Sequence, residues 1–169
     1  MNTAELLTEA FGRVEGLVTH VVSGLTPKQL EYRPDDGANS IAWLVWHLTR
    51  IQDDHVAAAA GTEQAWTSAG WAERFGLPFH PAATGYGQHS DEVSRVVVES
   101  GDLLIAYHDA VYQRTIDYLR DLTDADLDRI VDESWNPPVT LGVRLVSVIS
   151  DDLQHAGQAA YLRGLVSDE

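Results

Sequence analysis

Cysteine is absent from the 169-residue chain. Its absence excludes disulfides, thiolate metal ligands and a cysteine nucleophile. Any bound metal ion would therefore have to be held by histidine and carboxylate side chains. Lysine is nearly absent as well, because Lys28 is the only one in the chain.

Positive charge is scarce: 11 Lys and Arg face 26 Asp and Glu, which gives a formal net charge of −15 at pH 7. Nucleic-acid phosphates and anionic membrane surfaces attract clustered basic side chains, so neither is an expected partner. No apolar run approaches the roughly 18 residues of a membrane-spanning helix. The first residues also lack the basic start and apolar stretch of a secretory signal. The sequence therefore predicts a cytoplasmic protein.

The apolar content of 44% is sufficient for a buried core, and 169 residues is a typical length for a single domain. Strand-like alternation of useful length is lacking, whereas four segments repeat apolar residues at three- and four-residue steps. Together with candidate cap and stop residues, these segments predict helices over about 3–23, 40–60, 90–119 and 141–162. Gly61 and Gly164 are expected to end the second and fourth helices. We therefore expect residues 1–169 to form one all-α domain, a four-helix bundle.

Residues 61–89 connect the second and third predicted helices without a sustained period. A connection of this length is uncommon in a compact domain unless it is functional or packed by its own side chains. The segment is rich in aromatic residues, namely Trp66, Trp71, Phe75, Phe79 and Tyr86. We therefore expect it to fold back onto the bundle and cover part of a pocket. A connection this long also means that the two helices need not be antiparallel neighbours.

Two histidines lie on helix faces that otherwise consist of core residues. His47 follows the apolar residues 43–46, and His155 lies within the fourth helix. A buried imidazole needs a hydrogen bond or a metal. Asp151 precedes His155 by four residues and therefore shares its helix face. An i, i+4 carboxylate–imidazole pair is one way for a helix to present two ligands to a divalent metal.

If His47 reaches this pair from the second helix, three ligands surround one centre and leave a position open, as in catalytic zinc sites. Asp152, three residues before His155, is the alternative carboxylate. The same spacing also allows a metal-free arrangement, in which Asp151 pairs with His155 or with Arg144.

The other histidines are weaker candidates for chemistry. His80 and His89 flank the glycine-rich part of the connection and could line a pocket mouth. His55 lies about 80° around the helix from His47 and is expected to face solvent. His108 is expected to form a solvated pair with the adjacent aspartate.

Residues 39–48 (NSIAWLVWHL) and 151–158 (DDLQHAGQ) resemble the DinB-like four-helix bundle superfamily. The chain is most similar to the actinobacterial branch that includes mycothiol-dependent maleylpyruvate isomerase, and the resemblance spans nearly the whole chain. In that superfamily a divalent metal, often zinc or nickel, is bound by one histidine of the second helix and two residues one turn apart on the fourth. The resemblance implies His47, Asp151 and His155 as ligands here. Aspartate at this position is a departure, because the superfamily commonly has His or Glu there.

The resemblance also implies a reaction. The metal would activate a low-molecular-weight thiol, such as mycothiol or bacillithiol, whose thiolate would attack a small electrophile. Trp43 and either Trp66 or Trp71 are candidates for packing against that substrate. Two other functions remain open: a metal-assisted hydrolase that uses the same site, and a non-enzymatic bundle that binds a small molecule or dimerises. A homodimer through an apolar helix face is a further expectation.

Overall fold

The computed structural model describes residues 1–166, and these residues are mostly helical. Four long helices form a bundle: Thr3–Val22 (α1), Ile41–Ala60 (α3), Gly101–Arg120 (α7) and Leu141–Val166 (α8). Between them lie short helices, which are Pro27–Leu30 (α2), Ala65–Ser68 (α4), Trp71–Phe75 (α5), Ser90–Val93 (α6) and a 3-10 turn at Asp124–Asp128. The prediction of an all-α four-helix bundle is confirmed. Within the described residues, no helix combines the length and hydropathy needed to cross a membrane.

Local sequence accounts for the ends of the first two long helices. Asn2 and Glu5 form a reciprocal capping box at the start of α1. The Ser40 side chain accepts a hydrogen bond from the Trp43 backbone N–H at 3.1 Å and so caps α3. Gly61 ends α3 in the left-handed conformation, with φ 68°.

α3 and α7 are parallel neighbours. The Thr49 hydroxyl lies 3.1 Å from Nδ1 of His108, and the Gln52 amide donates to the Thr115 hydroxyl at 2.8 Å. Residue numbers rise together along both helices, so the chain has to return along the bundle between them. This geometry explains why a long connection joins them, as the sequence analysis allowed. We call residues 61–100 the crossover.

α8 runs antiparallel to α3. Its first turns lie beside the end of α3, where Arg144 donates to Nε2 of His55 at 3.4 Å. Its middle lies beside the start of α3, where Asp151 approaches His47. α3 is also packed against α7 and the crossover, and most of its residues are buried. The seam between α3 and α8 is therefore where ligands from two helices can meet inside the bundle.

The crossover folds back onto the bundle, as predicted. Trp66, Trp71 and Phe75 are buried, and their rings pack around Tyr107 of α7 with centroid separations of 5.2, 5.5 and 5.7 Å. Tyr86 differs from the other aromatic residues of the segment, because its side chain is 89% exposed.

The prediction that the third helix begins at residue 90 is wrong. α6 is a single turn, and the long helix begins only at Gly101. Between them Val96 and Val98 are buried whereas Val97 is exposed, so this stretch alternates like an extended chain. The valines at 96–98 fit the apolar spacing of a helix as well as that of an extended chain. The predicted helix therefore began too early.

Two smaller differences concern the last forty residues that the structure describes. Gly164 does not end α8, which continues to Val166, a buried residue whose carbonyl accepts from the Gln29 amide at 2.9 Å. A short antiparallel hairpin, Ile130–Asp132 (β1) with Val139–Thr140 (β2), flanks the proline-containing break where no strand was expected. Neither difference moves the seam between α3 and α8.

Candidate metal centre

His47 lies inside the bundle on α3 and is held by the crossover. Its side chain is 6% exposed, and Nδ1 lies 2.6 Å from the backbone carbonyl oxygen of Thr84. A carbonyl oxygen can only accept a hydrogen bond, so Nδ1 carries the proton. The lone pair of the neutral ring is therefore on Nε2, which faces α8.

Asp151 and His155 meet His47 from α8. Nε2 of His155 lies 3.5 Å from Oδ1 of Asp151, and Nε2 of His47 lies 4.0 Å from Oδ2 of the same carboxylate. The two imidazole rings are 4.8 Å apart between centroids. One donor atom from each of the three residues lies within 4.8 Å of the other two. The structure thus brings together the three residues that the sequence analysis singled out.

The second imidazole is oriented in the same way as the first. Nδ1 of His155 lies 3.2 Å from the side-chain oxygen of Gln158, one turn further along α8. An amide oxygen accepts, so Nδ1 of His155 donates and its Nε2 faces Asp151. A hydrogen bond from the distal ring nitrogen to an oxygen is what usually sets the tautomer of a metal-binding histidine.

The donor set fits a divalent metal. Bonds of about 2.0–2.2 Å in a tetrahedral arrangement separate ligand atoms by about 3.3–3.6 Å. The His155–Asp151 distance of 3.5 Å already falls in this range, and the His47–Asp151 distance of 4.0 Å is longer by a few tenths of an ångström. Oδ2 of Asp151 is buried and has no hydrogen-bond partner among the described residues. Such an atom is costly to leave alone and would be satisfied by a cation. Two imidazole nitrogens and one carboxylate oxygen suit a divalent transition metal.

The electrostatics favour the metal-binding forms of Asp151 and His47. Burial opposes the charged form of Asp151, but the contact with His155 and the charges of His155, His47 and His55 outweigh it and hold the pKa of Asp151 below its ordinary value. Burial, with the nearby charge of His155, lowers the pKa of His47 despite its bond to Thr84. A charged carboxylate and a neutral imidazole are the forms that bind metals. For His155, burial opposes the charged form, but the contact with Asp151 outweighs it and raises the pKa. The raised pKa favours the protonated ring, so a metal ion would have to displace a proton from Nε2 of His155.

Asp152, the alternative carboxylate, lies outside the cluster. It is fully buried on the core side of α8, and neither of its oxygens has a hydrogen-bond partner among the described residues. Burial, with the neighbouring charge of Asp151, raises its pKa well above the ordinary value. Arg144, the other partner considered for Asp151, instead forms an ion pair with Asp132 at 2.7 Å.

Trp43 packs against the cluster. Its ring stacks on His47 at 4.5 Å between centroids with 15° between planes, and it meets His155 edge-on at 6.1 Å. Its indole N–H donates to the Gln88 side-chain oxygen at 2.8 Å. Trp43 was a candidate for packing against a substrate, and the contacts found are with the imidazole rings of His47 and His155 and with the crossover. Trp66 and Trp71 are buried around Tyr107 and serve the core.

Gly85 is a further residue of this site that the sequence analysis missed. Its φ is +91°, and a Cβ built on it would lie 2.8 Å from Nδ1 of His47 and 3.2 Å from the Trp43 ring. Only glycine can bring the crossover backbone so close to the imidazole. The glycines at 85 and 87 were the available signal, but nothing in the sequence showed which histidine they face.

The other histidines lie elsewhere. His108 is buried, with 1% exposure, and burial lowers its pKa to about 4, so the predicted solvated pair is wrong. His55 is only half-buried, beside Asp54 and Arg144. His80 is exposed at the edge of a cavity of about 190 Å³, and His89 is exposed on the crossover.

Comparison with known proteins agrees with this architecture. The family model described as the DinB superfamily matches residues 10–159. A crystal structure described as the conserved protein of a locus from Enterococcus faecalis is 31% identical, with a TM-score of 0.92 over 100% of this chain and 99% of that one. Comparison with curated proteins finds no match. In its sequence, its helix arrangement and its cluster of potential metal ligands, the chain belongs to the DinB superfamily, whose members often bind metal.

Proposed function

We propose that this protein is a divalent-metal-dependent enzyme whose metal is held by His47, Asp151 and His155. The observation that supports this proposal is the convergence of two oriented Nε2 atoms and a carboxylate from α3 and α8. Zinc is the expected ion, with nickel second. Three protein ligands leave room for a co-substrate, as in catalytic rather than structural zinc sites.

The proposed reaction is S-transfer to, or isomerisation of, a small electrophile with a low-molecular-weight thiol such as mycothiol. When bound, the metal would lower the pKa of that thiol and supply a thiolate at neutral pH. The thiol has to come from solution, because the chain has no cysteine. Resemblance to the mycothiol-dependent branch supports this choice of nucleophile.

The chain's own residues provide orientation and exclude water. Thr84 and Gln158 accept from the distal ring nitrogens, so both Nε2 atoms stay directed at Asp151. Trp43 covers the imidazole of His47 on one face. The Asp151 side chain is 36% exposed, which leaves the cluster accessible from one side.

Elemental analysis of protein purified without added metal tests the metal centre. We expect close to one equivalent of a divalent transition metal in the wild-type protein and nearly none in His47→Ala. His89→Ala removes an exposed histidine and is the matched control, which should retain the metal. A wild-type content below about a tenth of an equivalent, with ion uptake unchanged in His47→Ala, would defeat the proposal.

A substrate panel tests the reaction. The metal-loaded protein is assayed for consumption of mycothiol or bacillithiol with small electrophiles, and in parallel for ester and amide hydrolysis. Thiol-dependent turnover that disappears in His47→Ala supports the proposal. Hydrolysis without thiol identifies the hydrolase alternative. No turnover with a fully loaded site would favour the non-enzymatic bundle.

A further inference from the structure

A buried ion pair lies one to two turns beyond His47 on α3. Arg50 is 0% exposed and Asp53 is 3% exposed, and Nη1 of Arg50 lies 3.7 Å from Oδ2 of Asp53. Taking two charges out of water costs several kcal/mol per ion unless hydrogen bonds compensate. The burial of Asp53 and its hydrogen-bond partners are findings of the structure.

Asp53 holds the beginning of the crossover. Its two carboxylate oxygens accept from the backbone N–H groups of Ala65 and Trp66, each at 2.8 Å. These are the first residues of α4, whose N–H groups would otherwise have no partner. The Tyr107 hydroxyl donates to the same carboxylate at 2.9 Å and ties it to α7.

Arg50 holds a later part of the crossover. Its Nε donates to the Ala83 carbonyl oxygen at 3.1 Å, and its Nη1 donates to the Gln64 side-chain oxygen at 2.7 Å. Its guanidinium also lies over the Trp66 ring, 5.0 Å from the centroid. One arginine therefore connects two segments of the crossover, about twenty residues apart, to α3.

The Ala83 carbonyl that Arg50 binds belongs to the residue immediately before Thr84. The Thr84 carbonyl is the acceptor that orients His47, and Gly85 then lies against the same ring. A shift of Ala83 would therefore shift the acceptor for Nδ1 of His47. No metal ligand is among the hydrogen-bond partners found for Arg50, so its effect on the site is indirect.

We infer that Arg50, supported by Asp53, is a positioning residue of the metal centre: by fastening Ala83 it places the Thr84 carbonyl that sets the tautomer and direction of His47. This inference rests on the proposed metal function. A partner that orients a metal-binding histidine typically contributes 10–100-fold to metal affinity. The guanidinium acts one backbone residue further away, through that partner.

The test compares Arg50→Gln with Arg114→Gln. Arg114 also tethers the crossover, to the Glu63 carbonyl and the Ser68 hydroxyl, but far along the chain from Thr84. Zn²⁺ affinity is measured by competition with a chromophoric chelator. The His47 tautomer is read from ¹⁵N shifts of the ring nitrogens in the metal-free protein. We expect Arg50→Gln to weaken Zn²⁺ binding about 10-fold or more and to mix the tautomers, and Arg114→Gln to change neither.

Arg50→Lys keeps the buried charge and serves if Arg50→Gln does not fold, because an ammonium lacks the planar fork that reaches both Ala83 and Gln64. We expect Arg50→Lys to show the same loss of Zn²⁺ affinity and the same mixture of His47 tautomers. Wild-type Zn²⁺ affinity together with the Nδ1-protonated tautomer in the folded Arg50 variant would overturn this inference alone. A wild-type protein that binds no Zn²⁺ would overturn the proposed function and, with it, the role inferred for Arg50.

Discussion

At the scale of single residues, each imidazole is characterised by what its second nitrogen contacts. His47 and His155 each use Nδ1 to bind an oxygen and direct Nε2 at Asp151. His108 uses Nδ1 for the Thr49 hydroxyl, but its Nε2 is buried without a partner among the described residues. His47 and His155 are therefore arranged to bind a cation, whereas His108 is a core residue whose neutral form is the one compatible with the folded state.

His108 makes stability depend on pH. Its folded pKa of about 4 lies below the ordinary histidine value of 6.5, so the unfolded chain binds a proton first as pH falls. Stability from this group is complete above about pH 6.5 and is lost progressively down to about pH 4. We expect the free energy of unfolding to drop by about 2 kcal/mol from this residue between pH 7 and pH 5.

Urea unfolding at pH 7 and pH 5 measures that drop. The difference should be about 2 kcal/mol smaller in His108→Gln than in the wild-type protein. His20→Gln replaces an exposed histidine and should keep the wild-type difference. An unchanged pH dependence in His108→Gln would show that the buried imidazole does not control it.

The glycines at 85 and 87 separate backbone strain from contact with His47. Both have positive φ, of 91° and 75°, but only at Gly85 would a Cβ collide with the His47 ring. Gly87→Ala should cost about 1 kcal/mol of stability from strain alone and leave metal affinity unchanged. Gly85→Ala should cost more and also weaken Zn²⁺ binding, as measured by thermal unfolding and chelator competition. Equal effects of the two substitutions on Zn²⁺ affinity would contradict the contact with His47.

At the scale of elements, a helix boundary lies where the local sequence predicted it if a capping or stop residue is present. Elsewhere, contacts with distant residues determine where the helix begins. Gly61 ends α3 as expected, and Ser40 caps its start, close to where the helix was predicted to begin. The start of α7 was misplaced by eleven residues, because the apolar run before Gly101 is extended. A valine run is compatible with either a helix or an extended chain, and its neighbours in space select between them.

Gly101 is required by the packing of α7 on α1. A Cβ on it would lie 2.8 Å from the Val22 carbonyl oxygen, which is backbone and cannot move aside cheaply. We expect Gly101→Ala to destabilise the protein by about 1–3 kcal/mol in urea unfolding. Gly16 lies on α1, and a Cβ added to it would meet no neighbouring atom. Gly16→Ala should therefore stabilise the protein by up to about 1 kcal/mol through helix propensity. Stabilisation by both substitutions would show that the close approach is not needed.

At the scale of the molecule, the metal site joins two antiparallel helices that are about a hundred residues apart in the chain. A ligand that binds only the folded state raises stability in proportion to its occupancy, by about 2.7 kcal/mol at a free concentration of 100 times Kd. Removal of the metal with a chelator should therefore lower Tm by about 5–10 °C in the wild-type protein. The chelator should leave the Tm of His47→Ala unchanged. An unresponsive wild-type protein would indicate a metal-free polar cluster.

A homodimer through an apolar helix face was expected, and we propose the outer face of α8 as that surface. Its exposed residues include no charged side chain, and its large apolar members are Val143, Val146, Leu153, Tyr161 and Leu165. Two molecules that each carry a net charge of −15 repel one another least through such a face. Sedimentation velocity should show a dimer that Leu153→Glu converts to monomer, whereas Leu6→Glu on α1 should not. A wild-type monomer at micromolar concentration would contradict this proposal.

Short-range pattern was enough to predict much of this protein: the all-α class, the approximate bounds of α1 and α3, and the sharing of one face by Asp151 and His155. Each of these depends on residues within about one turn of each other, where backbone geometry is regular. The pairing of His47 with residues on α8 came from a resemblance, because periodicity alone did not bring the two segments together.

Other features depended on contacts between distant parts of the chain. The Thr84 carbonyl that orients His47 is 37 residues away in sequence, and the buried pair of Arg50 and Asp53 looks like surface charge until the crossover covers it. Burial, tautomer and the energy of a charge are set by whatever packs against a group. In this bundle those neighbours come from the crossover and from parallel or antiparallel helices, and only their arrangement in space specifies them.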